Sequence, residues 1–146
     1  MNPRDFHRAA EEFVEGDSEA HWRSATSRAY YAAFLVGRQV LQRCGFRVPR
    51  ADGAHNYVIW RLSNSGDCDV RGAGSELDIL RTSRNQADYE VELNVAQWEA
   101  EARVESAREI IETLDAALAD PALLAAITQA MRDYERDTLG VVTFRS

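Results

Sequence analysis

Ala25-Thr26-Ser27-Arg28-Ala29-Tyr30-Tyr31-Ala32-Ala33-Phe34-Leu35-Val36, residues 25–36, decides the fold. Ala25, Ala29, Ala32, Ala33 and Val36 recur every three or four positions, so one face of a helix is small and apolar. Outward from that stretch, Trp22 extends the stripe on one side, and Val40 and Leu41 on the other. Asp17 and Ser18 are N-cap candidates, and Gly45 and Pro49 stop the pattern after Cys44. A long second helix follows, and its alanines let neighbouring helices approach closely. That stripe is the expected centre of the core.

The rest of the chain carries the same helical period. Pro3 precedes Phe6, Ala9, Ala10, Phe13 and Val14, a short amphipathic first helix ending near Gly16. His55–Leu62 predicts a third helix, and Ser63–Gly74, rich in Ser, Asn, Gly and Asp, predicts a loop in which Gly72 and Gly74 are turn residues. A fourth helix is expected from Ser75, with Leu77, Ile79 and Leu80 apolar, fading at Ala87–Tyr89. Asn94 and Gln97 have capping-box spacing for a fifth helix, Val95–Leu118, with Ala100, Val104, Ala107, Ile110, Ile111, Leu114 and Leu118 inward. Asp120 as N-cap and Pro121 at the first helical position start a short sixth. The tail, Thr138–Ser146, is expected either to fray or to pack on a partner. The expectation is an all-α, up-and-down bundle of five to six helices in one domain, with its core over about 5–118 and a C-terminal helix and tail over 119–146.

Composition narrows the class of function. The 146 residues are 45% hydrophobic, enough for one domain with a real core. No run of 18 apolar residues exists, and the N-terminus lacks the apolar core of a signal peptide, so a cytoplasmic protein with no membrane partner is expected. Cys44 and Cys68 have no CxxC partner and are expected to be reduced thiols. All 17 basic residues are arginine. Residues 1–37 carry four arginines and six acids, 38–84 eight and five, and 85–146 five and thirteen. A locally basic island thus sits in a chain of net charge −7, a pattern that disfavours non-specific duplex binding and suits a focused anion site. No cofactor or metal is implied. His7, His21 and His55 are scattered without an HExxH pattern, and Gly72 and Gly74 lack P-loop spacing. Glu99, Glu101, Glu105, Glu109 and Glu112 mark the solvated face of the fifth helix.

Chemistry concentrates in Arg81-Thr82-Ser83-Arg84-Asn85-Gln86-Ala87-Asp88-Tyr89-Glu90. Arg81 and Arg84 lie three apart on one helix face, where both can point at one anion. Guanidinium forks suit phosphate, and a neighbouring carboxylate and phenol can position or transfer a proton. The plainer alternative is an exposed helix end in which Arg84 is satisfied by Asp88 at i+4. Tyr30 and Tyr31 can offer a ring for base stacking, but one of the two must face the core. Ser27 and Arg28 face either the same cleft or solvent.

Ser27-Arg28-Ala29-Tyr30-Tyr31-Ala32-Ala33-Phe34, paired with Arg84-Asn85-Gln86-Ala87-Asp88-Tyr89, resembles the HEPN superfamily (higher eukaryotes and prokaryotes nucleotide-binding). The likeness is to its small prokaryotic branch with an R-x-x-A-D-Y ending, over roughly residues 5–118. The resemblance implies an up-and-down helical bundle, a homodimer whose arginine motifs meet in a cleft, and in many members a metal-independent ribonuclease. Such members are toxins encoded beside a nucleotidyltransferase antitoxin, or parts of anti-phage systems. In catalytic branches the motif is an arginine, four to six residues, then a histidine. Here the arginine-asparagine start is present as Arg84-Asn85, but the histidine is missing: the position four residues on from Arg84 is Asp88 and the next is Tyr89.

Metal-independent RNA cleavage needs a base for the 2′-hydroxyl, an acid for the leaving oxygen and a cation for the phosphorane. A carboxylate is a useful base only where its pKa is raised, and neighbouring arginines lower it. The candidate assignment is Arg84, Asp88 and Tyr89 as catalytic residues, with Arg81, Asn85 and Arg28 binding substrate phosphate. RNA or a nucleotide is the expected ligand, a second copy and a nucleotidyltransferase-type antitoxin the expected partners. Two alternatives stand beside the nuclease: a HEPN protein that binds RNA or nucleotide without cutting it, and a module that binds a partner protein.

Overall fold

The alanine stripe forms the predicted long helix. In the structure, a computed structural model that describes residues 1–145, this is α2 (Glu19–Arg43). It follows α1 (Arg4–Val14) and precedes α3 (Ala54–Ser63), α4 (Cys68–Tyr89), α5 (Gln97–Leu118) and α6 (Pro121–Tyr134), the last running into a π-helical turn over Glu135–Leu139. Among the described residues the only extended pairing is one antiparallel bridge, Phe46 with Phe144. The fold is the expected all-α helical bundle. Among the described residues no helix is long and apolar enough to cross a membrane.

Packing divides the chain into two units, Met1–Val36 with Glu76–Ile111, and Gly37–Ser75 with the residues from Glu112 onward. In the first, Ala25, Ala29, Tyr30, Ala32 and Ala33 of α2 are buried, as are Leu77, Leu80 and Ala87 of α4 and Ala100, Val104 and Ala107 of α5. His7 is buried too and donates from Nε2 to the Val104 carbonyl (3.0 Å), while Phe13, expected inward, is exposed. In the second unit Val40, Leu41, Val58, Leu62, Leu114, Ile127 and Met131 form the core. Each such Leu or Ile contributes about 1.5–3 kcal/mol by leaving water. Cys44 and Cys68 are free thiols, and burial pushes that of Cys44 above its ordinary pKa.

Three local expectations change. The loop predicted over Ser63–Gly74 ends early, because Asp67 caps α4 by accepting from the Val70 amide (3.0 Å), and residues 68–74 are already helical. Gly74 is therefore no turn residue. A Cβ there would lie 2.8 Å from Ser63 Oγ and 3.1 Å from Leu62 Cβ, so glycine is needed where α3 passes close to α4. The fifth helix starts at Gln97 instead of Val95: Glu99 reaches back to the Ala96 amide, and Asn94 takes no part in the cap. Asp120 and Pro121 do start α6 as expected, with Asp120 accepting from the Leu123 amide (3.1 Å).

The tail folds back on its own unit. Glu135 is buried against Arg61, which donates to it from Nε (2.9 Å) and Nη2 (2.7 Å). The same carboxylate accepts from the Thr143 amide (3.0 Å) and hydroxyl, and the Thr143 hydroxyl also meets Tyr57. Phe144 then packs edge-on against Phe46, and Gly45, at φ 101°, admits the Arg145 carbonyl where a Cβ would sit 2.8 Å from it. Ser146, the last residue of the predicted tail, lies outside the described residues.

Candidate phosphate-binding site on the first unit

The motif of α4 faces the tyrosines of α2. Arg84 and Asp88 are one helical turn apart, so both side chains leave α4 on the side toward α2. The Arg84 guanidinium carbon lies 5.0 Å from the ring centre of Tyr30 and 5.3 Å from that of Tyr31. Both are within cation–π range. Tyr30 is fully buried and stacks on Phe34 at 5.9 Å, whereas Tyr31 is half-buried with its ring edge-on to Tyr30. One tyrosine thus belongs to the core and the other lines the site.

Asp88 is held from two sides. Ser27 donates from Oγ to Asp88 Oδ2 (3.1 Å), and Arg84 Nη1 lies 3.9 Å from the same oxygen. The other carboxylate oxygen, Oδ1, has no protein partner among the described residues. The pair is partly shielded, the side chain of Arg84 being 12% exposed and that of Asp88 28%. Arg84 Nε is buried with no hydrogen-bond partner among the described residues. A desolvated guanidinium that keeps an unused donor is poised for an added acceptor, since an unmet buried donor costs about 1–3 kcal/mol.

The remaining sequence candidates divide. Arg81 is half-buried one turn before Arg84. Asn85 is exposed on α4, and Tyr89, at its last residue, is 72% exposed with its phenol in solvent. Arg28 stands apart: it is exposed, and its guanidinium lies 5.7 Å over the ring of Phe6 on α1. Ser27, its neighbour, is the residue of that pair that reaches the motif.

Sequence reasoning passed over Arg23 and Glu19. Arg23 Nη1 donates to the carbonyls of Gln86 (3.3 Å), Ala87 (2.9 Å) and Glu90 (3.2 Å), and Nη2 to those of Glu90 (3.2 Å) and Leu93. These include the last carbonyls of α4, which have no partner within the helix, and a cation there also complements the helix dipole. Glu19 pairs with Arg23 (3.0 Å) and accepts the Val95 amide (2.9 Å). That amide bond first, then Arg23, holds its carboxyl below the usual range. The only signal in the sequence was the i, i+4 spacing of Glu19 and Arg23, which marks an ion pair and not a clamp on a distant helix end.

A HEPN domain family model matches residues 3–117, spanning α1 through nearly all of α5. The chain belongs to the HEPN domain family. No curated protein and no solved structure matches it. Within this HEPN domain the arginine motif lies at the end of α4, and no histidine stands among residues 85–91 that follow Arg84. No group of three His, Cys, Asp or Glu side chains among the described residues is arranged to hold a metal ion.

Proposed function

We propose that this HEPN protein is an endoribonuclease that needs no metal, with Arg84 at the scissile phosphate. The observation that carries the reading is the state of Arg84: largely withdrawn from water, set against two tyrosine rings, and with a buried donor unmet. Such a group binds a phosphate oxygen strongly, because a charge-assisted bond in a partly dry site is about twice as strong as a neutral one.

The reaction follows from the neighbouring groups. Asp88 Oδ1 takes the proton of the 2′-hydroxyl while Ser27 holds Oδ2 and so fixes the carboxylate plane. The 2′-oxygen bonds to phosphorus, Arg84 neutralises the charge of the phosphorane, and the phosphorus–O5′ bond breaks. The departing oxygen takes a proton from the Tyr89 phenol or from water. The products are a 2′,3′-cyclic phosphate and a 5′-hydroxyl, and the proton on Asp88 returns through solvent. Tyr31, half-buried at the site, offers its ring to an adjoining base. In this reading Arg81 and Asn85 contact flanking phosphates, and a second copy meets the site, consistent with the exposed apolar residues Tyr89, Val91, Leu93 and Trp98 at and after the end of α4.

A second reading has its own observation. Because Asp88 is engaged by both Ser27 and Arg84, and no imidazole stands at its place, the same site binds RNA or a nucleotide without cutting it. The two separate when binding and cleavage are scored on one labelled single-stranded RNA. The nuclease reading expects Asp88→Asn to bind as wild type and to cleave at least about 100-fold more slowly, as loss of a general base does. Arg84→Ala is expected to lose cleavage and to bind more weakly. Wild-type binding with no cleavage under any condition would leave the binding reading in possession of the site.

A further inference from the structure

The basic island seen in the sequence is larger than the Arg84 site. Of its eight arginines, Arg81 and Arg84 belong to the motif and Arg61 is consumed by Glu135. Arg38 is half-buried and Arg71 is exposed on α4, while Arg43, Arg47 and Arg50 are exposed on a segment, 38–51, that carries no acid. The folded tail adds to them. Its bridge joins the Arg47 amide to the Thr143 carbonyl (3.3 Å) and the Arg145 amide to the Gly45 carbonyl (2.8 Å), so exposed Arg145, from the far end of the chain, lies opposite Gly45 and diagonally across the bridge from Arg47. Arg132, also exposed, lies 4.0 Å over the ring of Phe144 in the same bridge. None of these five has a carboxylate partner among the described residues.

We infer that Arg43, Arg47, Arg50, Arg132 and Arg145 form a track on the second unit that holds the phosphate backbone of single-stranded RNA outside the Arg84 site. Three features favour this occupant. The rest of the chain carries 12 arginines against 24 acids, an excess that disfavours attraction of the protein to a broad anionic plane such as a bilayer, whereas a flexible strand follows a narrow track. Trp60 is exposed one helical turn beyond Tyr57, whose hydroxyl meets Thr143, and it presents an indole to a base next to the phosphates. The tail that carries Arg145 is fixed by the buried Arg61–Glu135–Thr143 cluster, so its backbone is placed in advance and only the side chain is ordered on binding. The inference rests on the RNA reading above, and extends it from one phosphate to a longer strand.

The bridge uses the backbone of residues 47 and 145, so Arg47→Gln and Arg145→Gln remove charge without breaking it. The test is the affinity of the full chain for a fluorescent single-stranded RNA of about 20 nucleotides, measured across a range of salt concentration. The double variant is expected to bind about 10-fold more weakly at low salt, with a log–log salt slope shallower by roughly 0.7 for each phosphate that is no longer neutralised. Its far-ultraviolet dichroism and melting midpoint are expected to match wild type. Arg84→Ala serves as the control and leaves the contribution of the track in place. Unchanged affinity and slope in the double variant would overturn the inference, even if wild type cleaves RNA. So would loss of binding to phosphatidylserine vesicles with RNA binding intact. A lowered slope in a protein that never cuts RNA would sustain the track and remove the nuclease reading instead.

Discussion

Replacing Arg23 by alanine is expected to loosen the end of α4 that carries Arg84, Asp88 and Tyr89, although Arg23 touches none of the three. Its side chain is 15% exposed and bridges Glu19 to four carbonyls. Gln86, Glu90 and Leu93 are exposed residues, so water restores most of what their carbonyls lose. The cost concentrates at the buried Ala87, where a missing bond to a charged donor amounts to about 1.5–3 kcal/mol, and at the helix end, where losing the cation adds about 0.5–1 kcal/mol. The sum is about 2–4 kcal/mol, or a melting midpoint lower by about 5–15 °C in a chain of this length. Arg23→Lys keeps the charge but not the fork, and is expected to recover about half. Urea unfolding gives the free energy, provided the m-value is unchanged. Hydrogen exchange locates it: the amides of Glu90 and Leu93, bonded to Gln86 and Glu90, are expected to lose protection while those of α6 keep theirs. An Arg23→Ala protein within about 0.5 kcal/mol of wild type, with unchanged exchange at both amides, would refute the clamp.

The second unit gives two contrasts. Glu135→Ala strands the buried Arg61 guanidinium and is expected to cost about 3–5 kcal/mol, while joint replacement of both partners by methionine costs less than either single loss; a double-mutant cycle in urea reads the difference. Burial raises the Glu135 carboxyl, but the hydrogen bonds from Thr143 and Arg61 outweigh it and leave the pKa below its ordinary 4.5. Its contribution is therefore present above pH 4.5 and fades as pH falls through the lower folded value, so Glu135→Gln is expected to flatten the acid limb of a stability–pH curve. Gly72 and Gly74 are both helical, yet opposite signs are expected on changing each to alanine. A Cβ at Gly72 meets open space and stabilises by about 0.5–1 kcal/mol, whereas one at Gly74 meets Ser63 and destabilises by about 1–3 kcal/mol, both read as shifts in the urea midpoint.

What the sequence disclosed was whatever is encoded locally. The α2 stripe, the Asp120–Pro121 start of α6 and the end of α4 near Tyr89 all rest on residues a turn or two apart, and the structure holds them where the spacing put them. The i, i+4 pairing of Arg84 with Asp88 was equally visible, as was the need for one of Tyr30 and Tyr31 to face the core. Long-range partners left no mark. Arg61 and Glu135 are 74 positions apart, and neither is distinguishable in the sequence from a surface charge. The Gly72–Gly74 stretch looked like a turn because glycine signals either flexibility or close approach, and only the neighbour, Ser63, decides between them. Backbone acceptors are invisible too, which is why Arg23 and its four carbonyls went unread. The tail's bridge depends on Gly45 and Phe46 meeting residues from the other end of the chain.

The most direct measurement is incubation of purified protein with total RNA and with tRNA in EDTA, followed by analysis of the new ends, for wild type beside Arg84→Ala. The account predicts fragments ending in 2′,3′-cyclic phosphate from wild type and intact RNA from Arg84→Ala. Cleavage that survives in Arg84→Ala, or RNA left intact by wild type, would contradict it.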